Sequence, residues 1–417
     1  MQNFIDINND EKLLNKLLES DPDITIEDAL ENEMVINMGP QHPATHGVLR
    51  LVLKLDGETV VKCIPELGYL HRGYEKMAEN MNFYDYIPHT DRLDYTANLC
   101  NNVAYVLAVE KLAGIEVPER ATYIRMIVNE LGRIMGHLVA VGTFALDVGA
   151  ITAFMWTFRE REFIQNIFDR ITGARFTTSY TRFGGVASDI DDEAIAMIKE
   201  FFDRFVDTHD EFERLLNTNR IFVDRLDGVG LLPKDKAIGL GITGPNLRGS
   251  GVDYDIRRAA PYMFYDKMDF NVPVYPEGDS LSRYFVRVDE IKESVKIVRQ
   301  CLDQIKPGPV LSNDPKKVLP HKDEIYTKME ELIHDFIIVN FGINPPVGDT
   351  YMAVENPKGE LGFYIVSNGS GHPWKMKIRS PSFCNIQALP LMCEGQMISD
   401  VVAIIGSIDP VMGEADK

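Results

Sequence analysis

The sequence has no apolar run long enough to cross a membrane, and its basic residues are outnumbered by acidic ones. A transmembrane helix needs about 20 consecutive apolar residues, a length that no stretch of the 417 residues approaches. Lysine and arginine total 43 against 63 aspartates and glutamates, so the formal net charge is −20. Nucleic-acid binders and proteins that adhere to anionic lipid need a basic face. We therefore expect no transmembrane segment and no nucleic-acid partner.

An export signal and paired cysteines are absent as well. The first residues are acidic and lack the basic flank and apolar stretch of a secretory signal, so we expect a soluble, non-exported chain. The few cysteines form no Cys-x-x-Cys pair, which is typical of reduced thiols and not of a disulfide framework. They also provide no zinc or iron–sulfur site, and we predict that this chain ligates no metal. The cysteines are Cys63, Cys100, Cys301, Cys384 and Cys393.

The composition is that of a large globular protein, with 45% hydrophobic residues. A chain of this length can bury a sizeable core and is expected to form more than one sub-domain. Residues 1–33 contain ten acidic residues against Lys12 and Lys16, which predicts a mobile or partner-docked extension. We predict four parts: an acidic N-terminal extension (1–33), a small β-sheet with a histidine-rich loop (34–66), a helical core (67–220) and an α/β C-terminal part that packs on the core (221–417).

Hydrophobic periodicity supports an α+β fold that is predominantly α. Apolar residues recur at helical spacing from residue 67 to about 216, whereas alternating runs separated by turn residues predict strands near both ends. Asp56-Gly57 is a favourable hairpin turn between two such runs. We predict hairpins at Val48–Ile64 and Thr350–Ile378, helices at Ala121–Leu146, Leu281–Ile305 and Leu389–Ile405, and strand-like pieces with turns at Val229–Pro276.

The most unusual local sequence is the histidine loop, Gly39–Gly47, in which His42 and His46 lie four residues apart. On a helix this spacing would suit metal ligands, but Pro40 and Pro43 argue against a helix here. One interpretation is a loop stabilised by histidine hydrogen bonds. The other is a rigid loop that presents a titratable imidazole to a ligand, because histidine changes charge near neutral pH.

Two further groups lie near predicted helix starts, namely Leu70–Glu75 and His89–Tyr95. Arginine and aspartate at such positions are usually capping or surface pairs. In the alternative interpretation, the positive charges of Arg72 and Arg92 tune the properties of a neighbouring anionic cofactor.

The helix predicted at Ala121–Leu146 carries Glu130, Arg133 and His137 on one stripe. Charges on a largely apolar helix are costly unless they are paired, so a structural ion-pair network is one interpretation and a functional cluster is the other. Asp147 ends an apolar run and is placed to hold a loop imidazole by a charge-assisted hydrogen bond.

Seven segments spaced along the sequence carry a common pattern, namely Gly39–Gly47, Leu70–Glu75, Asp91–Tyr95, Ala145–Gly149, Gly173–Arg175, Leu247–Gly251 and Val401–Gly406. Together, from about residue 34 to the end, they resemble the 49 kDa-type family of respiratory complex I, which contains its quinone-site subunits. This family is itself similar to the large subunit of NiFe hydrogenases, whose metal is held by two Cys-x-x-Cys pairs.

The resemblance to the hydrogenases includes Arg72-Gly-x-Glu75 and Asp409-Pro410, but Val411 and Met412 follow where the cysteine chemistry would begin. It therefore implies a hydrogenase-like helical core without a nickel–iron centre. In the family, the cavity that the nickel–iron centre would occupy accepts a quinone headgroup instead. It lies next to a 4Fe-4S cluster held by the neighbouring B-type subunit.

By the same resemblance, Tyr95 and His46 would hydrogen-bond the two quinone carbonyls and supply protons, and Asp147 would pair with His46. His42 would shape the loop around the quinone, and Arg72 and Arg92 would lie near the cluster of the B-type subunit.

One departure from the family follows Gly173-Ala-Arg175. Many relatives have a histidine there that makes the cluster potential depend on pH, whereas this sequence has Thr177. We hypothesise a lower and less pH-dependent potential, suited to menaquinone.

The resemblance implies a peripheral subunit of a proton-pumping NADH-quinone oxidoreductase on the cytoplasmic side of the bacterial inner membrane. Its expected partners are the B-, C- and I-type subunits and the H-type membrane subunit, and its substrate is menaquinone or ubiquinone. The alternatives are a hydrogenase-like subunit of a related membrane-bound complex and a non-catalytic scaffold. Missing cysteine pairs argue against the first, and His46, Tyr95 and Asp147 argue against the second.

Overall fold

A computed structural model describes residues 33–417, so the predicted extension lies outside the described part except for Glu33. Within that range, helices dominate and three small antiparallel sheets contain the strands, which confirms the predicted α+β, mainly α class. The strands are β1 (Glu33–Met38), β2 (Arg50–Asp56), β3 (Thr59–Glu66), β4 (Thr181–Arg182), β5 (Gly185–Val186), β6 (Gly348–Asn356), β7 (Gly359–Ser367) and β8 (Lys375–Arg379).

The helices range from single turns to the 29-residue α4. They are α1 (Tyr74–Asn80), α2 (Ile87–Thr90), α3 (Asn98–Ala113), α4 (Glu119–Asp147), α5 (Ile151–Thr172), α6 (Asp192–Asn217), α7 (Arg220–Asp224), α8 (Lys234–Gly239), α9 (Pro245–Arg248), α10 (Ile256–Ala259), α11 (Ser280–Gln304), α12 (Lys322–Thr327), α13 (Met329–Phe341), α14 (Pro381–Ile386), α15 (Leu389–Cys393), α16 (Ile398–Ile408) and α17 (Met412–Ala415). None of the helices within 33–417 is long and apolar enough to cross a bilayer.

The N-terminal sheet has the order β1-β2-β3, with β2 paired antiparallel to both neighbours. The predicted β2–β3 hairpin is present, and Gly57 adopts a φ of +61° at its turn, which favours glycine. Apolar side chains of β2, such as Leu51 and Leu53, pack with Ile404 and Ile408 of α16 in one buried cluster. This packing places the histidine loop, between β1 and β2, beside the C-terminal helices.

One hydrophobic core joins the predicted helical part to the C-terminal part. Leu131 and Ile134 of α4, Ile291 and Val298 of α11 and Phe363 of β7 are all buried in the same cluster. Burial of such side chains is the main favourable contribution to folding. The four-part division of the chain remains a prediction, since this core crosses the boundary at residue 220.

The second three-stranded sheet, β6-β7-β8, contains the predicted C-terminal hairpin. Its β6–β7 turn approaches α4 closely, because a β-carbon on Gly136 would lie 3.1 Å from Cγ of Pro357. Glycine at position 136 therefore allows the turn, including Lys358, to enter the protein interior.

Two sequence-based predictions differ from the structure. Val229–Pro276 contains the short helices α8, α9 and α10 in place of strand-like pieces, since caps such as Asp255 satisfy single helical turns. The helix predicted over Leu389–Ile405 is divided into α15 and α16, because the intervening Gly395 adopts a φ of +82°.

Candidate functional site

The histidine loop is ordered by its own backbone contacts. A single 3₁₀ turn covers Pro43–Thr45, and Nδ1 of His42 accepts a hydrogen bond from the backbone N–H of Ala44 at 3.2 Å. The buried Thr45 donates its hydroxyl to the carbonyl of His42 at 2.8 Å. His46 ends the turn with a φ of +50°, in the left-handed region. The local structure therefore fixes where the His46 side chain leaves the loop.

The structure brings His46 and Asp147 together across 101 residues, with 2.6 Å between Nε2 and Oδ2. Asp147 is the last residue of α4, so a long helix positions its carboxylate. The two side chains are 11% and 13% exposed, which limits the screening of this pair by water. The contact expected from the sequence is thus present, while the chemical role of the pair remains a prediction.

Tyr95 lies on the loop between α2 and α3 and is partly buried. Burial raises the pKa of its phenol, and the nearby Asp94 raises it further, so the hydroxyl holds its proton at neutral pH. No residue within 33–417 hydrogen-bonds this hydroxyl. It is therefore available as a donor to a ligand.

The segment after α16 lies between the two loops that carry His46 and Tyr95. A β-carbon on Gly47 would lie 3.1 Å from Cγ of Met412, and one on Gly413 would lie 3.4 Å from Cδ1 of Tyr95. Met412 is fully buried. Two adjacent residues, Met412 and Gly413, thus contact both loops.

A buried lysine links the Tyr95 loop to the same segment. Lys358, in the β6–β7 turn, forms an ion pair with Asp409 at 2.8 Å, lies 3.8 Å from Asp94 and donates to Thr96 at 2.7 Å. Burial alone would lower the pKa of Lys358, but Asp409 and Asp94 outweigh this effect and raise it. The lysine therefore stays charged and holds three parts of the chain together.

A fully buried acid follows in the C-terminal segment. Burial raises the pKa of Glu414 to about 8, with Asp94 adding to the shift, and Oε1 accepts hydrogen bonds from the backbone N–H and hydroxyl of Ser382. Glu414 is thus mostly neutral near pH 7, which lowers the charge buried beside Tyr95. Sequence reasoning missed this residue and Lys358, because the role of each depends on tertiary contacts.

Arg72 and Arg92 are both exposed, as a role towards a neighbouring chain requires. Arg92 donates to the carbonyl of Pro88, and its own carbonyl accepts from the Tyr74 hydroxyl at 3.3 Å. The backbone of Arg92 is therefore bonded to α1, and its exposed guanidinium is bonded to α2.

The neighbouring Asp91 connects this loop to the segment that contains Thr177. Its Oδ2 accepts hydrogen bonds from the backbone N–H and the hydroxyl of Ser179, and burial raises its pKa. Thr177 and Ser179 have φ values of +52° and +42°. A β-branched residue is strained in this region, and the hydrogen bonds from Ser179 to Asp91 hold the segment that contains Thr177.

The stripe of α4 predicted from the sequence belongs to a fully buried ion-pair network. Glu130 contacts Arg133 at 3.2 Å and Arg257 at 3.3 Å, and His137 lies 2.8 Å from Glu290. Burial lowers the pKa of His137 to about 4 despite this carboxylate. The charge pairing of the structural interpretation is therefore present for Glu130 and Arg133, and His137 is a neutral ring hydrogen-bonded to Glu290, while a functional role of the stripe remains untested. The sequence did not indicate the partners from distant segments, which are Arg248, Asp255, Arg257, Glu290 and Glu355.

Two groups of side chains contain residue types that bind metals: the buried cysteines, and a cluster of one histidine and two acids. Burial raises the pKa of both Cys100 and Cys301 to about 12, which keeps these thiols protonated. Within 33–417, His209, Asp210 and Glu213 are near enough to share an ion. However, the ammonium of Lys292 lies 2.6 Å from Glu213 and occupies the place of a cation. Neither group makes a persuasive metal site.

Comparison with known proteins identifies the family. A family model described as the 49 kDa subunit of respiratory-chain NADH dehydrogenase matches residues 147–417. The D 1 subunit of the NADH-quinone oxidoreductase of Chloroherpeton thalassium is 57% identical over 409 residues, which cover 98% of this chain and 93% of the relative. The D-type subunit of Salinibacter ruber is 56% identical over 391 residues, which cover 94% and 87%. The chain therefore belongs to the 49 kDa subunit family of respiratory-chain NADH dehydrogenase, a family of subunits of an oxidoreductase complex.

Proposed function

We propose that this chain forms, together with the B-type subunit, the cavity in which the complex reduces quinone. The observation that supports this most is the placement of two proton donors around one buried segment. His46 is held by Asp147 at 2.6 Å, and Tyr95 contacts the next part of the same C-terminal segment with its hydroxyl unpaired among residues 33–417. A quinone has two carbonyl oxygens, so two separated donors match its recognition chemistry.

Reduction of a quinone to a quinol adds two electrons and two protons. The Tyr95 phenol and a protonated His46 would each donate one proton, one to each oxygen. Asp147 stabilises the imidazolium before transfer and orients the neutral ring afterwards. Both donors then recover protons from solvent or from neighbouring groups.

The electrons would come from the 4Fe-4S cluster that the B-type subunit holds. The exposed Arg72 and Arg92 are suited to face that cluster, where positive charge favours its reduced form. No residue of this chain is proposed to ligate it. His42 shapes the loop through its bond with Ala44 and would lie at the edge of the quinone cavity.

This role requires an assembled complex. We propose that the chain lies on the cytoplasmic side of the bacterial inner membrane, contacts the B-, C- and I-type subunits, and receives the quinone tail through the H-type membrane subunit. Quinone reduction would then be coupled to proton pumping in the membrane arm. The hydrogenase-like alternative would require nickel in the purified complex at one ion per chain, and such a result would replace the proposal.

The direct test replaces Tyr95 by phenylalanine and measures quinone reductase activity in membranes with matched amounts of assembled complex. We expect activity to fall by about 100-fold, the usual contribution of a positioned proton donor, because the ring stays and only the hydroxyl is lost. Tyr364→Phe is the matched control, since Tyr364 is exposed on β7 in the C-terminal sheet. Full activity of Tyr95→Phe would favour a non-catalytic scaffold.

A further inference from the structure

Helix α13 presents its apolar face to solvent. A surface helix normally buries its apolar stripe and exposes its polar side, but in α13 the only fully buried side chain is Ile338. Met329, Phe336 and Phe341 are 74%, 61% and 62% exposed. The other exposed apolar residues of the helix are Leu332, Ile333, Ile337 and Val339.

The exposed side chains form a continuous stripe. Met329, Leu332, Ile333, Phe336 and Ile337 follow the i, i+3, i+4, i+7, i+8 spacing that places residues on one side of a helix. Ile338 points to the opposite side, into the main hydrophobic core. The helix is thus attached by one side and apolar on the other.

The helix is also fixed in position at its C-terminal end. Asn82 donates its side-chain amide to the carbonyl of Val339 at 3.2 Å. A β-carbon on Gly342 would lie 2.7 Å from the carbonyl oxygen of Gly371, so the backbones of these two segments are in direct contact. Such anchoring argues that the stripe is a preformed surface and not a segment waiting to fold inward.

The size of the stripe corresponds to one side of a protein interface. At roughly 200 Å² per large side chain, the five half-exposed side chains of the stripe present about 500 Å² of apolar surface, and Val339 and Phe341 on its two flanks add about 200 Å². Monomeric proteins rarely expose apolar patches beyond about 300–600 Å². A standard protein–protein interface buries about 800 Å² on each partner.

The charged residues around the stripe indicate which kinds of molecule could bind to it. Residues 322–341 contain five acidic residues and two basic ones, and Lys328 is already paired with Glu324 at 2.7 Å. A second copy of this chain that docked through the same helix would place acid against acid. Residues 1–33, with ten acidic residues and two lysines, would be repelled in the same way, as would an anionic membrane surface.

We propose that α13 docks into an apolar groove of another protein chain, and that lysine or arginine side chains flank this groove. The stripe would fill the groove as a helix anchored at positions i, i+3, i+4 and i+7. Glu330 and Asp335, beside the stripe, would meet the basic rim. The inference rests on membership of a multi-subunit complex and is independent of quinone chemistry at His46 and Tyr95.

The test places the photo-crosslinker p-benzoylphenylalanine at position 336 of the chain in the fully assembled complex. We expect a cross-link to one other protein of the complex, within a peptide whose neighbouring residues include lysine or arginine. The same probe at position 221 is the matched control, because Ile221 is 72% exposed but lies on the short helix α7, outside the stripe. Cross-links to a second copy, to residues 1–32 or to lipid, or no cross-link at all, would overturn the proposal.

A second measurement examines the charges. Glu330→Lys with Asp335→Lys should release the cross-linked partner from the purified complex at least tenfold faster than the wild type. Asp253→Lys is the control, since Asp253 is exposed outside α13. Equal release rates for both variants would contradict the basic groove. Because neither readout is quinone reductase activity, these results remain separate from those of Tyr95→Phe.

Discussion

Gly406 and Asp147 are in direct contact, since a β-carbon at position 406 would lie 3.0 Å from Oδ2 of Asp147 and 2.7 Å from Cδ2 of Phe144. The oxygen concerned is the one that holds His46. The absence of a side chain at this position of α16 therefore leaves room for the His46–Asp147 pair.

We predict that Gly406→Ala displaces Asp147 and lowers quinone reductase activity by about tenfold, because misplacement of a catalytic group by a fraction of an ångström is costly. Alanine favours helix more than glycine does, so the helix itself should persist. Activity at matched assembly is the measurement. Gly239→Ala is the control, because a β-carbon there meets nothing within 4 Å. Unchanged activity in Gly406→Ala would show that the pair tolerates movement.

Lys358 neutralises buried acids, and its removal should destabilise the protein. In Lys358→Met, Asp409 and Asp94 lose their buried cation, which costs about 3–5 kcal/mol for a broken buried pair. Thermal denaturation of the full chain should show a clearly lower midpoint than the wild type. The surface variant Lys375→Met should change the midpoint little, although Lys375 also pairs with an acid, Glu79, at 2.7 Å. Equal midpoints for both variants would contradict the assigned role.

The pH dependence of stability should reflect His209, which packs against Phe205 and Phe212. Burial, with a contribution from Lys292, lowers its pKa from 6.5 to about 4. Between these pH values, His209 is protonated in the unfolded chain but neutral in the folded chain. The free energy of unfolding therefore decreases as the pH falls through this window. The loss reaches up to about 3 kcal/mol at the acidic end.

We therefore predict that His209→Phe removes part of the acid sensitivity. Its unfolding free energy should decrease less than that of the wild type between about pH 7 and about pH 4.5. Urea denaturation of the full chain at both pH values is the measurement. His321→Phe serves as the control, since His321 is exposed. Parallel pH profiles for wild type and His209→Phe would contradict the assignment.

Thr177 leads to a prediction about the 4Fe-4S cluster that we propose lies beside this chain. If a histidine at this position couples the cluster potential to pH in relatives, Thr177→His should introduce a dependence approaching about 59 mV per pH unit. Histidine also tolerates the left-handed backbone better than threonine does. Redox titration of the cluster at several pH values is the measurement, with Thr178→His as the neighbouring control. A strong pH dependence in the wild type would contradict the hypothesis.

Much of the fold was predictable because its elements are local. The β2–β3 and β6–β7 hairpins follow from turn residues, and α11 begins and ends within one residue of the predicted helix. The short helices between Val229 and Pro276 were missed, because single helical turns leave little periodicity in a sequence and depend on caps such as Asp255.

The candidate site was only partly predictable. His46, Tyr95 and Asp147 came from family resemblance, and the contact between the first and last of these is present. Lys358 and Glu414 could not be found in this way, because their charge states depend on burial beside residues far away in the chain. Likewise, the exposed stripe of α13 has the same sequence pattern as a buried one. Periodicity reveals that a helix has an apolar side but not which side faces the core.

The position of Met412 and Gly413 between the histidine loop and the Tyr95 loop has a consequence for biosynthesis. The ribosome synthesises Met412 and Gly413 about 300 residues after Tyr95. Until then, the nascent chain contains both loops but lacks the segment that lies between them. During that interval Lys358 lacks Asp409, and the His46 loop lacks its contact with Met412. The contacts around His46 and Tyr95 therefore cannot be complete before residue 413 has been synthesised, and docking to other proteins of the complex before that point would enclose an incomplete site.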